Sequence, residues 1–318
     1  MTPAKFEASY INLQRNGLLL QRARDAWKRL ETCILCPQQC SVNRLANERG
    51  VCHTGAQAVV ASHGPHFGEE APLVGLGGSG TVFFSYCNLK CEFCQNYELS
   101  QLGEGHTVTP ADLANIFLQL QDDGCHNINL VSPSHVVPQF LMALETAAEH
   151  GLRLPIVYNT GGYDCVETLK LLDGIVDIYM PDMKYSDAAV AWRYSRAKDY
   201  PDVNRAAVRE MHRQVGDLIV DARGIAQRGL LIRHLVMPEG LAGTPEIAEF
   251  IAKEISANTY VNLMAQYRPC YRAQQHHPLN KSITSQEYRS AIEAAWNAGL
   301  RRFDRLPSEW QVNGESDH

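Results

Sequence analysis

Apolar and polar positions along this chain change period many times, and the changes divide it in two. Residues 81–86, Thr-Val-Phe-Phe-Ser-Tyr, are β-branched and aromatic and read as a buried strand. Beyond them, strand-length apolar runs alternate with helical patterns. Thr109-Pro110-Ala111-Asp112 is an N-cap with proline in the first turn, opening a helix that stops near Gly124. Strands follow at 127–132, 155–160, 175–182, 230–236 and 260–267. Helices follow at 135–150, 164–172, one or two within 187–215, and 244–256. Thr284-Ser-Gln-Glu287 is a capping box for a last helix that ends before Gly299. Six strands, each followed by a helix, imply right-handed crossovers and a mainly parallel sheet. An open partial barrel of six βα units, a flavodoxin-like open sheet and a full eight-fold barrel all have this pattern; the chain is two units short for the last.

The first part of the chain lacks that alternation. Leu13, Leu20, Ala23, Trp27 and Leu30 recur at helical spacing within residues 3–30, giving one or two helices with Gly17 as the break. Residues 54–78 mix Gly, His and Pro and read as an irregular lead-in, with the glycines as turns. His53, His63 and His66 are expected at the surface or in the core, not as ligands. The division expected is a helical and cysteine-rich element over 1–62, a barrel over 63–306, and a tail over 307–318.

Composition narrows the chemistry. At 318 residues, 45% hydrophobic and 20% charged, the chain can bury a large core. A net charge of −6 argues against a general nucleic-acid or anionic-membrane binder. No apolar run is long enough to span a bilayer, and no secretory signal opens the chain, so a cytoplasmic protein is expected. Ten cysteines in that setting call for metal or redox chemistry, not disulfides. Cys125, Cys165 and Cys270 are scattered and read as small buried hydrophobes. The other seven fall into two sets.

Cys87, Cys91 and Cys94 follow the first strand as C-x3-C-x2-C. Three thiols within eight residues cannot pair off as disulfides, and three ligands on a [4Fe–4S] cube leave one iron open. An open position is what separates catalytic from structural metal sites. A zinc knuckle or a redox thiol cluster is the plainer reading. Cys33, Cys36, Cys40 and Cys52 form a complete four-thiol set, which suits zinc and an iron–sulfur cluster equally by ligand count, or needs no metal at all.

Ligands in parallel βα folds sit at the C-terminal ends of the strands. Those ends here carry the three cysteines, Ser132-Pro-Ser134, Asn159-Thr160-Gly-Gly162, Asp182 and Lys184, Arg233 to Gly240, and Gln266-Tyr267. Met180, Asp182 and Lys184 alternate and can all face the barrel mouth.

The C-x3-C-x-Φ-C spacing, with Phe93 in the Φ place, resembles the radical S-adenosylmethionine (SAM) superfamily. That resemblance implies an α/β fold, a partial (β/α)6 barrel, here with a small N-terminal helical and cysteine-rich extension. It implies a [4Fe–4S] cluster on Cys87, Cys91 and Cys94 whose free iron is chelated by SAM, and an electron donor such as flavodoxin or ferredoxin. Reductive cleavage would then give a 5′-deoxyadenosyl radical that abstracts hydrogen from a substrate. Within the superfamily the chain resembles the activating enzymes of glycyl-radical enzymes, pyruvate formate-lyase activating enzyme among them. Asn159-Thr160-Gly161-Gly162 is similar to their Asp-Thr-Asn-Gly turn, Met180/Asp182/Lys184 to their Met-x-Asp-x-Lys segment, and Arg233 with Val236–Gly240 to their Arg-x-x-Val-x-Pro-Gly segment. Cys94-Gln95-Asn96 matches the ending found in pyruvate formate-lyase activating-like members that carry an N-terminal C-x2-C-P-x2-C. The resemblance implies a cofactor-binding set of Phe93, Asn159, Thr160, Met180, Asp182, Lys184 and Arg233, and a glycyl-radical enzyme as partner. Two departures stand out. Ser132-Pro133-Ser134 replaces the family's Gly-Gly-Glu, and Asn159 replaces an aspartate of its monovalent-cation site. Radical modification of a small molecule or peptide, and a non-catalytic metal-binding scaffold, are the rival readings.

Overall fold

The computed structural model describes residues 6–307; of the expected tail, only its first residue is among them. Two helices, α1 (Tyr10–Arg15) and α2 (Leu18–Lys28), flank Gly17, whose φ of 72° lets the chain turn between them. Leu19, Ala23, Ala26 and Leu30 form the buried stripe. The pair is tied to the barrel through Ser9, which donates from its backbone N and Oγ to buried Asp177 at 2.9 and 2.7 Å.

Residues 54–78 are more ordered than their composition suggests. β1 (Ala58–His66) runs antiparallel to β2 (Ser79–Phe84), with the short helix α3 (Ala71–Val74) between them. A short helix α4 (Tyr97–Ser100) follows the cysteine loop, and β3 (His106–Val108) pairs with β1 on its other side. Only residues 58–60 of β1 face β3, so Pro65 lies beyond it and its missing N–H costs the sheet nothing. The division expected between residues 62 and 63 falls inside this strand.

From there the alternation holds. The order is α5 (Pro110–Asp122), β4 (Ile128–Val131), α6 (Val137–Glu149), β5 (Ile156–Thr160), α7 (Val166–Leu169), β6 (Ile178–Pro181), α8 (Ala188–Ser195) and α9 (Tyr200–Val215). A two-residue strand β7 (Ile219–Val220) folds against β8 (Ala226–Leu235), then come α10 (Thr244–Phe250), β9 (Tyr260–Met264), α11 (Ser285–Asn297) and β10 (Arg302–Phe303). Both expected capping boxes form, Thr109 with Asp112 and Thr284 with Glu287. The parallel strands lie in the order β2-β4-β5-β6-β8-β9, with β1 and β3 beyond β2 and β10 beyond β9. The result is an open α/β partial barrel of six βα units.

Period-two alternation sorts the strand residues into an outer and an inner face. Leu130, Tyr158, Tyr179, Ile232 and Leu263 join the outer core beneath the helices. On the inner face, Leu73, Val157, Ile178, Met180 and Leu231 make a small apolar plug. Buried Glu69, Glu70 and Asn129 form a polar group with Asn262, beside that plug. The plug and these polar groups fill the interior below the strand ends, and the cleft opens at the C-terminal side.

Candidate active site

The cleft at the strand ends has a volume of about 240 Å3. One wall is the loop after β2, which brings Cys87, Cys91, Phe93 and Cys94 to its lining; Ser132, Asn159, Thr160, Asp182, Lys184 and Arg233 line the rest. Six consecutive strand ends thus converge as the parallel topology requires. Met180 is the exception. It faces the interior but lies fully buried in the plug, because the alternation that brings Asp182 to the mouth leaves Met180 one residue pair deeper. It supports the cleft from below and does not line it.

The three thiols are free of disulfides. Burial pushes Cys87 up to about 11 and Cys91 up to about 12, with Lys184 opposing the shift at both. Each sulfur already has a donor of the kind a thiolate needs. The backbone N–H of Leu89 donates to Cys87 Sγ at 3.4 Å, and Ser195 Oγ to Cys91 Sγ at 3.0 Å. Ser100 Oγ lies 3.0 Å from Cys94 Sγ. Thiols held up by burial favour the protonated form in isolation; a metal supplies the charge that deprotonates them. Donor set, loop spacing and neighbouring cation all fit an iron–sulfur cluster.

Opposite the thiols lies an ion triplet. Asp182 Oδ2 accepts from Lys184 Nζ at 2.5 Å, and Oδ1 accepts from Arg233 Nε at 2.8 Å. Burial alone would raise the Asp182 carboxyl, but Arg233 and Lys184 outweigh it and hold the group below its ordinary range. Both of its oxygens are therefore engaged, and the triplet carries one net positive charge into the cleft. Arg233 also feels Glu70 from below, whose own carboxyl is raised by burial with Arg233 opposing. An isolated buried charge costs several kcal/mol, so the triplet persists because each member is paired.

The remaining expected residues sit where they were placed but are differently engaged. Thr160 donates to Asp164 Oδ2 at 2.6 Å and meets Ser134 Oγ at 3.0 Å, so its hydroxyl fixes the loop. Ser132 takes a left-handed backbone, φ 59°, the region that favours glycine. Its N–H donates to Asn159 O at 2.8 Å, tying two strand ends together. Tyr267 packs against Phe93 but donates to Leu279 O at 2.6 Å and does not line the cleft. Of the histidines, His63 is exposed and His66 pairs with Glu69.

Several contributors were not visible in the sequence. Ser195 ends α8, 104 residues from the cysteine it serves. Tyr200 accepts from the backbone N of Lys184 at 3.0 Å, and its hydroxyl reaches Gly161 O at 2.8 Å. Neither has a sequence signal beyond its place after β6. Glu70 lies in the stretch read as turns.

The four N-terminal cysteines gather elsewhere. Cys33, Cys36, Cys40 and Cys52 line one small cavity with Leu35, Val42, Arg44, Gly50 and His135. Burial, with the other three thiols adding to it, raises Cys36 well above its ordinary range. Gln38, between Cys36 and Cys40, donates to Asn88 O at 2.9 Å, which abuts the loop that carries Cys87.

The radical SAM superfamily model matches residues 81–217. An uncharacterised protein of Methanocaldococcus jannaschii is 32% identical over 297 residues, 91% of this chain and 80% of that protein. The chain carries a radical SAM superfamily domain over residues 81–217. A radical SAM methyltransferase from Sphaerobacter thermophilus is similar in structure at 15% identity and TM-score 0.48, over 71% of this chain and 67% of that one. SuiB of Streptococcus suis, solved with its precursor peptide SuiA, is similar at 14% identity and TM-score 0.45, over 72% of this chain and 49% of that one. The chain thus spans about half of SuiB. A [4Fe–4S] cluster and SAM are what that superfamily domain implies. Among the described residues no helix is long and apolar enough to cross a membrane.

Proposed function

We propose that this radical SAM enzyme binds its cluster through Cys87, Cys91 and Cys94 and makes a glycyl radical on a partner enzyme. The observation that carries the reading is the shared cleft: the three cysteines, the Asn159-Thr160 turn and the Asp182–Lys184–Arg233 triplet line one wall-to-wall site. When bound, cluster and SAM supply one-electron cleavage of the C5′–S bond and hydrogen abstraction from the substrate.

The protein binds, orients and excludes water. The net positive charge of the triplet receives the carboxylate of SAM. Arg233 bonds Asp182 through Nε, which leaves its terminal nitrogens for that carboxylate. On the cleft wall Ser132 and Asn159 offer neutral acceptors to the ammonium group, where the resemblance would supply carboxylates from the Ser134 and Asn159 positions. Phe93, wedged between Tyr185 and Tyr267, stiffens the cysteine loop. Outside the cleft, Cys33, Cys36, Cys40 and Cys52 hold a second metal centre, zinc or an iron–sulfur cluster. An electron carrier of the flavodoxin or ferredoxin kind reduces the enzyme.

The test is anaerobic reconstitution, then dithionite and SAM, with 5′-deoxyadenosine read by mass spectrometry. Production by the parent and none by the Cys87→Ala/Cys91→Ala/Cys94→Ala protein is expected. Equal production by both would overturn the assignment. A glycyl-radical doublet in electron paramagnetic resonance, on adding a glycyl-radical enzyme, tests the partner. Cleavage of SAM with no doublet would move the reading to modification of a small molecule or peptide.

A further inference from the structure

The four-cysteine cavity carries an observation that the ligand count alone does not. Arg44 is 1% exposed, yet among the described residues no carboxylate pairs with it. Its guanidinium donates to Gly55 O at 2.8 and 3.0 Å and to His135 O at 2.8 Å, all neutral acceptors, and approaches Cys33 Sγ at 3.8 Å. A buried cation without a counter-charge costs several kcal/mol. Its nearest candidates for negative charge are the thiols that line the same cavity. Four thiolates around a dication, or around a [4Fe–4S]2+ core, carry a net charge of −2 and supply what Arg44 lacks.

The void between the cysteines favours the cluster over a single ion. Zinc–sulfur bonds of about 2.3 Å in a tetrahedron put the sulfurs about 3.8 Å apart, in mutual contact, with no void between them. Here the cysteines surround a void of about 10 Å3, roughly one water in size. The scaffold is shaped for such a body. Val51 N donates to Cys40 Sγ at 3.4 Å, and a Cβ on Gly50 would stand 2.6 Å from the same sulfur.

We infer that Cys33, Cys36, Cys40 and Cys52 bind a second [4Fe–4S] cluster, with Arg44 as its buried counter-ion. This rests on the reading that these cysteines take a metal, and it is independent of the chemistry in the cleft. The cluster lies against the cysteine loop of the cleft through the Gln38–Asn88 contact and through His135, whose Nε2 meets Ser85 O at 3.0 Å.

The test uses the full chain, reconstituted anaerobically with iron and sulfide in the presence of equimolar zinc. Iron, zinc and acid-labile sulfide are then counted per chain. About eight irons and eight sulfides in the parent, and about four of each in the Cys87→Ala/Cys91→Ala/Cys94→Ala protein, are expected. About four irons with one zinc in the parent would overturn the cluster while keeping a metal at the site. About four irons and no zinc would overturn both. The parent count needs no variant to fold. Arg44→Gln, measured alongside, should lower iron retention during gel filtration at the N-terminal site alone; unchanged retention would remove Arg44 from the proposal.

Discussion

The two cysteine sets sit side by side and are built in opposite ways. Cys87, Cys91 and Cys94 open onto a cleft with charged and polar walls, and hydroxyls from Ser100 and Ser195 reach two of their sulfurs. Cys33, Cys36, Cys40 and Cys52 are enclosed by Leu35, Val42 and one buried arginine. Three ligands and an open wall leave a coordination position for a reactant; four ligands and a closed wall leave none. The comparison teaches that ligand number and the polarity of the surroundings change together.

The largest effects should come from crossing the two sets. Cys91→Ala should remove about four irons and all SAM cleavage, whereas Cys36→Ala should remove the other four and leave cleavage measurable. Iron counts paired with 5′-deoxyadenosine yields decide it; loss of both centres in either variant would show that they are not independent. Next in size is the buried cation. Arg44→Met should destabilise the protein by about 3–5 kcal/mol in urea unfolding, since it strands carbonyl acceptors and thiolates together. A loss below about 1 kcal/mol would mean that the enclosed set needs no counter-charge.

In the cleft the cost should appear in binding. Lys184→Met should weaken SAM by about 1.5–3 kcal/mol, ten- to a hundredfold, measured by calorimetry at matched iron content. Unchanged affinity would reduce the triplet to a structural ion pair. Acid sensitivity gives a smaller effect with a fixed sign. Asp182 has a folded pKa below its ordinary value, so its stabilisation is complete above that ordinary value and is lost as pH falls through the folded one. Asp182→Asn should therefore flatten the acid limb of apo-protein stability. Glu70 is shifted the other way, so the parent loses stability as pH rises from the ordinary carboxylate range through the raised value. Glu70→Gln should abolish that decline and be the smallest change of the set. A steeper decline in thermal melts would mean that its charge, facing Arg233, is needed ionised.

Much of this was legible along the chain. The six strand–helix units, both capping boxes and the helix break at Gly17 are local events, written in hydrophobic period, side-chain caps and one glycine. β1 escaped because Gly64 and Pro65 interrupt its composition; only its neighbours show that Pro65 lies past the end of β3. Met180 was read as lining the mouth because alternation gives a direction but not a depth.

By itself the sequence determined that three thiols stand together, since eight residues of loop cannot separate them, and that strand ends carry polar side chains. Tertiary structure alone decided what those groups meet. Asp182 bonds Arg233 across 51 residues, Ser195 reaches Cys91 across 104, and Arg44 bonds His135 across 91 on the rim of the four-cysteine cavity. Such meetings are set by how strands stack and helices cover them, which no local pattern encodes. Only burial turns an ordinary arginine into a cation that requires an anionic centre beside it.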